Sequence, residues 1–233
     1  CVRLFGQKGR ERVALALPVD QEKVTTLFQK VLTTERLVTV GYDRTVQARE
    51  RSMLGSIELA ERSVVPTVEE CRQVLTAYLT ELGDALFQTL PILDDTRHFC
   101  ARVAFLRGVF GEPWPDLGAH ALAAHPDLWL LDAHVRPDVL KIITPQELHE
   151  RICALLPWNL QKQLEQDAPR KWCSPSGTWH PVQYGPAGPV LSAKLQEFFG
   201  LLEGPRVARG TVAVTLHLLS PAGRELQITR DLR

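Results

Sequence analysis

The sequence predicts an α+β chain made of a small β-barrel, a helical segment and a mixed hairpin-and-helix extension. Three observations carry that expectation. Apolar residues alternate with period two over residues 1–65 and again over 168–233, but recur every three or four residues over 66–167. A capping signal stands where the helical period begins. At 233 residues and 45% hydrophobic side chains, the chain is long enough to bury a core and to form more than one domain.

In the first segment, "VRLF" is a short strand and Gly6-Gln7-Lys8-Gly9 a turn. Residues 12–19 alternate, with Val13, Leu15 and Leu17 on one side. Asp20 caps a helix running to about Lys30, with Val24, Leu27, Phe28 and Val31 on one face. "RLVTVGYDRTVQARE" gives two strands around Gly41-Tyr42-Asp43, and "SMLGSIELAERSV" a fifth. Five short strands with one inserted helix resemble a barrel of the OB type.

The second segment opens at Pro66-Thr67. Thr67 with Glu70 forms a capping box, the stripe Val68, Cys71, Leu75, Tyr78 and Leu79 follows, and Gly83 stops the helix. "DDTRHFCARVAFLRGVFG" is a second helix, with Phe99, Val103, Leu106 and Phe110 on its apolar stripe. Short helices broken at Pro126 come next. Thr144 then caps a helix with Pro145 at its first position, and Pro157 breaks the pattern. In the third segment, "CSPSGTWHPVQY" is a hairpin around Pro175-Ser176-Gly177. Residues 190–200 are expected to form a helix burying Leu191, Leu195, Phe198 and Phe199. Val212, Val214, Leu216 and Leu218 line one face of a strand that pairs with "RELQITRDL" across Pro221-Ala222-Gly223.

Formal net charge is zero, so the chain as a whole does not announce a nucleic-acid or membrane partner. The charge is unevenly spread, however. Lys and Arg number eleven against eight Asp and Glu in residues 1–65, eight against fifteen in 66–167, and eight against four in 168–233. Five cysteines at wide spacing, without a CxxC pair, suit a cytoplasmic protein. No signal peptide and no apolar run near eighteen residues is present, so no membrane partner is expected. The chain starts at Cys1, already strand-like, and is expected to be a fragment of a longer polypeptide.

No motif for catalysis survives inspection. A GxxxxGK[ST] phosphate loop, a GxGxxG turn and a GxSxG elbow are all lacking. Ser176 precedes Gly177 with His180 four residues on, a pattern that a turn explains without a nucleophile. His120, His125 and His134 lie near Asp116, Asp127 and Asp132, yet no HExxH-like spacing joins them, and helix ends account for them. His217 occupies the polar side of its strand. No cofactor or metal is expected in this chain. Basic residues interleave with aromatics in two places. Arg10, Arg12, Tyr42, Arg44, Arg49 and Arg51 gather on the proposed barrel, where an OB surface would grip a single strand. Lys171, Trp179, Arg206, Arg209 and Arg224 follow in the last segment, where they would line RNA or pack against a neighbour.

The final segment, "VLSAKLQEFFG" followed by "HLLSPAGRE" and "QITRDL", strongly resembles the C-terminal region of HrpB-type bacterial DExH-box ATP-dependent RNA helicases. "LGSIELAER", "RVAFLR", "WPDL" and "ALLPWNLQKQLEQDAP" also resemble that family's pattern. Two places depart from it: Gly41-Tyr42-Asp43 stands where the family often has Trp-Asp, and Thr178-Trp179-His180 where a basic residue is common. The resemblance implies a RecA-like motor and helical domains elsewhere in the same polypeptide, holding ATP and magnesium, and an OB-like domain at 1–65. The expected function is that of an accessory, non-motor fragment that binds or orients single-stranded RNA or another nucleic acid. The alternatives are a protein-docking module and an independent small enzyme.

Overall fold

In the computed structural model, residues 18–231 are described, together with the backbone of the strands at 2–5 and 12–16. The chain forms two compact units, Cys1–Val74 and Leu75–Arg233.

In the first unit, β1 (Val2–Phe5) pairs antiparallel with β2 (Arg12–Ala16). Helix α1 (Gln21–Leu27) follows, with the Asp20 carboxylate accepting the Glu22 amide at its start. Strands β3 (Leu32–Val40), β4 (Val46–Leu54) and β5 (Ile57–Val64) form an antiparallel meander. The expected closed barrel is not formed: among the described residues, no ladder joins the β1–β2 pair to the meander. The meander also lacks a barrel's interior. Its buried positions are Val46 and Ala48, and its other described side chains are exposed or half-buried. Contrary to the expected apolar face, α1 buries nothing, and Leu27, Phe28 and Val31 are exposed.

Helix α2 (Val68–Leu82) starts at the expected capping box: the Glu70 amide donates to Thr67 Oγ1 (3.2 Å) and the Thr67 amide to Glu70 Oε2 (2.8 Å). It ends at Gly83, whose φ of +48° favours glycine. In the second unit, short α3 (Leu86–Thr89) leads to α4 (Asp94–Phe110), whose Phe99, Val103 and Leu106 are buried at the spacing expected. Helix α5 (Ala119–Ala124), a 3-10 turn at Pro126–Leu128 and α6 (Val139–Ile142) come next. Helix α7 (Pro145–Cys153) opens on the Thr144–Glu147 capping box, and α8 (Trp158–Asp167) restarts after Pro157.

Strands β6 (Lys171–Cys173), β7 (Trp179–Gly185) and β8 (Gly188–Lys194) follow. The expected helix at 190–200 is therefore strand as far as Lys194 and a 3-10 turn after it. Leu191 and Ala193 point into the core at period two, while Leu195 and Phe199 are exposed; a short 3-10 turn, Leu195–Phe198, buries Phe198. Leu191 and Leu195 satisfy a helical spacing in sequence, but β8 finds strand partners on both sides and becomes a central strand. The small pair β9 (Arg206–Val207) and β10 (Val212–Ala213) precedes β11 (Thr215–Leu219) and β12 (Glu225–Thr229). The five-stranded order is β12-β11-β8-β7-β6, with β8 and β11 parallel and the other neighbours antiparallel.

One face of this sheet is apolar: Val182, Tyr184, Leu191, Ala193, Leu216 and Leu218 are buried. Helix α4 packs against β7. The Tyr184 ring lies 5.2 Å from Phe105 and 5.8 Å from His98, whose Nε2 is 2.8 Å from the Val182 carbonyl. The turn after α8 ties the helices to the sheet. Buried Arg102 of α4 donates to the Ala168 and Leu164 carbonyls, Tyr184 Oη donates to Pro169, and the Ala208 amide donates to Asp167. Burial pushes the Tyr184 hydroxyl's pKa up and the Arg102 guanidinium's down.

Candidate nucleic-acid interface

Period two along each strand places Lys171, Trp179, Pro181, Gln183, Ser192 and Lys194 on the face opposite the core, and all six are exposed. Thr215 and His217 of β11 belong to the same face, by register with Val190 and Ser192. Arg230, following β12, lies on it as well: its Nε donates to Thr215 Oγ1 (3.0 Å) and its Nη2 to the Ala187 carbonyl (3.4 Å). Lys171, Lys194 and the Arg224 side chain have no carboxylate partner among the described residues. Glu225 on this surface is bound to His217 Nδ1 at 2.9 Å. The charge left uncommitted on this face is therefore positive.

The hairpin between β6 and β7 is held by Glu197. Its Oε2 accepts from Ser174 Oγ at 2.8 Å and from Ser176 Oγ, and His180 Nε2 lies 3.6 Å away without a hydrogen-bond partner. These hydroxyls hold the Glu197 carboxyl below its ordinary range. Ser176 and His180 each face the carboxylate rather than one another, so the group clasps a turn and does not activate a nucleophile. Trp172 stacks on Phe198 at 5.6 Å behind it.

The other basic residues singled out in the sequence have different surroundings. Arg10 lies outside the described residues, and only the backbone of Arg12 is described. Tyr42 and Arg44 project from the β3–β4 turn, Tyr42 fully exposed and Arg44 at φ +62°. Arg49 and Arg51 are committed within their sheet, with Arg49 3.0 Å from Glu61 and Arg51 2.7 Å from Glu61 and 3.5 Å from Glu58. Arg36 and Arg62 likewise hold Glu50, at 2.8 and 2.6 Å. The meander thus carries a ladder of paired charges, and these partners pull the carboxyls of Glu50 and Glu61 below their ordinary range. Arg206 donates to the carbonyls of Gly210 (2.6 Å) and Thr211 (3.4 Å) in its own loop. Arg209 pairs with Asp167 at 3.1 Å and lies 4.9 Å over the Phe110 ring. No group of three metal-ligating side chains occurs among the described residues, and no described helix is long and apolar enough to cross a membrane.

Lys194 and Arg230 were not singled out in the sequence. Lys194 fell inside the expected helix, and strand alternation outward from Leu191 and Ala193 was the signal that marks it. Arg230 has no local signal; its place depends on contacts with Thr215 and Ala187, which are distant in sequence.

The chain that builds this sheet and its helices is similar to known proteins. Residues 129–233 match the family described as ATP-dependent helicase C-terminal. The similarity is more particularly to HrpB. The chain is 28% identical over 227 residues to the ATP-dependent RNA helicase HrpB of Escherichia coli (strain K12), covering 95% of this chain and 27% of that protein. It thus spans just over a quarter of its relative's length. The crystal structure of the E. coli DExH-box NTPase HrpB superposes with a TM-score of 0.63 at 26% identity, over 99% of this chain and 29% of that one. A crystal structure of the Escherichia coli DEAH/RHA helicase HrpB gives a TM-score of 0.61 at 24% identity, over 87% of this chain and 26% of that one, and supports the fold.

Proposed function

We propose that this chain is the accessory, non-motor part of an ATP-dependent RNA helicase working in the cytoplasm, and that it holds single-stranded RNA or another nucleic acid against the motor. ATP and magnesium would belong to RecA-like domains elsewhere in the polypeptide, since this sequence has no phosphate loop. The observation that carries the reading is the solvent face of the five-stranded sheet, where Lys171 and Lys194 have no carboxylate partner among the described residues and Arg230 bonds a hydroxyl and a carbonyl. Phosphates are the natural counter-charge for such a face.

The test is filter binding of single-stranded RNA to the 233-residue chain across a salt series. With about three phosphates neutralised, log affinity should fall with log salt at a slope of about −2. Reversing Lys171, Lys194 and Arg224 to Glu should weaken binding and flatten that slope. Affinity that ignores both salt and the triple reversal refutes the reading. A second role, bracing other domains of the polypeptide or recruiting a partner, is favoured by the exposed Leu27, Phe28 and Val31 of the first unit.

A further inference from the structure

The β6–β7 and β11–β12 turns, at 174–178 and 220–224, open at the same end of the sheet. β8 and β11 run parallel, so Lys194, paired with Leu219, is level with the start of the second turn. Trp179 pairs with Cys173 at the first turn. The β7–β8 ladder includes Val182 with Leu191, and three residues further along each strand lie Trp179 and Lys194. Adjacent strands are about 5 Å apart, so Trp179 of β7 and Lys194 of β8, just beyond the last paired residues Val182 and Leu191, share one end of the sheet with the Arg224 turn, which lies two strands, or about 10 Å, from Trp179. Trp179 is 63% exposed, and among the described residues it makes no ring contact and Lys194 and Arg224 have no carboxylate partner. Two carboxylates at this end are already occupied, Glu197 by Ser174 and Ser176 and Glu225 by His217.

Resting on the reading above, we infer that this end of the sheet is a stacking site for an unpaired nucleobase: Trp179 takes the base face, and Lys194 and Arg224 take the flanking phosphates. An indole face accepts every base, so stacking at Trp179 selects single strands over duplexes without selecting sequence. A duplex keeps its base faces stacked on one another and offers Trp179 only backbone.

Three ligands test this against the intact chain: single-stranded RNA, an abasic strand of the same length, and blunt duplex RNA. Trp179→Ala should cost about tenfold or more in affinity for single-stranded RNA and leave the abasic strand and the duplex unchanged, and Trp179→Phe should recover most of the loss. Lys194→Glu with Arg224→Glu should weaken all three. Trp179 is on the surface, so an unchanged melting temperature shows that the variant is folded. If Trp179→Ala leaves single-strand affinity intact while the charge reversals reduce it, the stacking site is refuted and the gripping face stands. If neither change matters, both fall.

Discussion

Replacing Arg102 by Met tests what holds the second unit together. Arg102 is 1% exposed in the middle of α4, with Nε 2.6 Å from the Ala168 carbonyl, Nη2 3.2 Å from the Leu164 carbonyl, and Glu165 Oε1 2.9 Å away. Those carbonyls end α8, where intrahelical amides run out. Leu164 also accepts the Ala168 amide at 3.0 Å, whereas Ala168, itself 0% exposed, has Arg102 as its donor. Met keeps the apolar stem and removes the donors. Orphaning one buried carbonyl costs about 1–3 kcal/mol, and losing the second bond adds about 1 kcal/mol. Removing a buried cation returns part of this, as its lowered pKa indicates. The expected net loss is about 2–3 kcal/mol, a fall of roughly 8 °C in melting temperature for a unit of this size. Thermal and urea unfolding followed by circular dichroism measure it. Glu165 is 60% exposed, so Glu165→Gln should cost less than about 1 kcal/mol. If Arg102→Met lies within about 0.5 kcal/mol of the parent, or Glu165→Gln costs as much, the carbonyl-capping account is wrong.

Two further outcomes follow from burial and charge. Leu191 is 0% exposed and Phe199 is 65% exposed, so Leu191→Ala should cost about 3 kcal/mol and Phe199→Ala within about 0.5 kcal/mol in urea unfolding; equal losses would restore the helical reading of this segment. In the first unit, Arg36 and the Thr67 cap lower the Glu70 carboxyl from its ordinary 4.5 to about 2. Its contribution is therefore complete above about pH 4.5 and is lost as pH falls through about 2. Glu70→Gln should flatten the acid limb of that unit's stability curve, and an unchanged acid titration by circular dichroism would contradict the assignment.

The solvent face was partly legible in the sequence. Lys171, Trp179 and Arg224 follow from exposed hairpin positions. Arg49, Arg51, Arg206 and Arg209 looked equally available, because the carboxylates and carbonyls that occupy them come from other strands and loops. A basic residue's type is written in the sequence, but whether it is free depends on who faces it.

By itself the sequence determined the local devices. The caps at Asp20, Thr67 and Thr144, the stop at Gly83 and the hairpins at 174–178 and 220–224 are settled within a few residues, by hydrogen bonds that close over one turn. Only the tertiary structure decided that the first five strands stay in separate sheets, that residues 188–194 form a central strand, and that Trp179, Lys194 and Arg224 share one end of a sheet. Each of those outcomes rests on pairing between segments distant in the chain, where the same apolar spacing satisfies more than one structure until a partner strand supplies the missing hydrogen bonds.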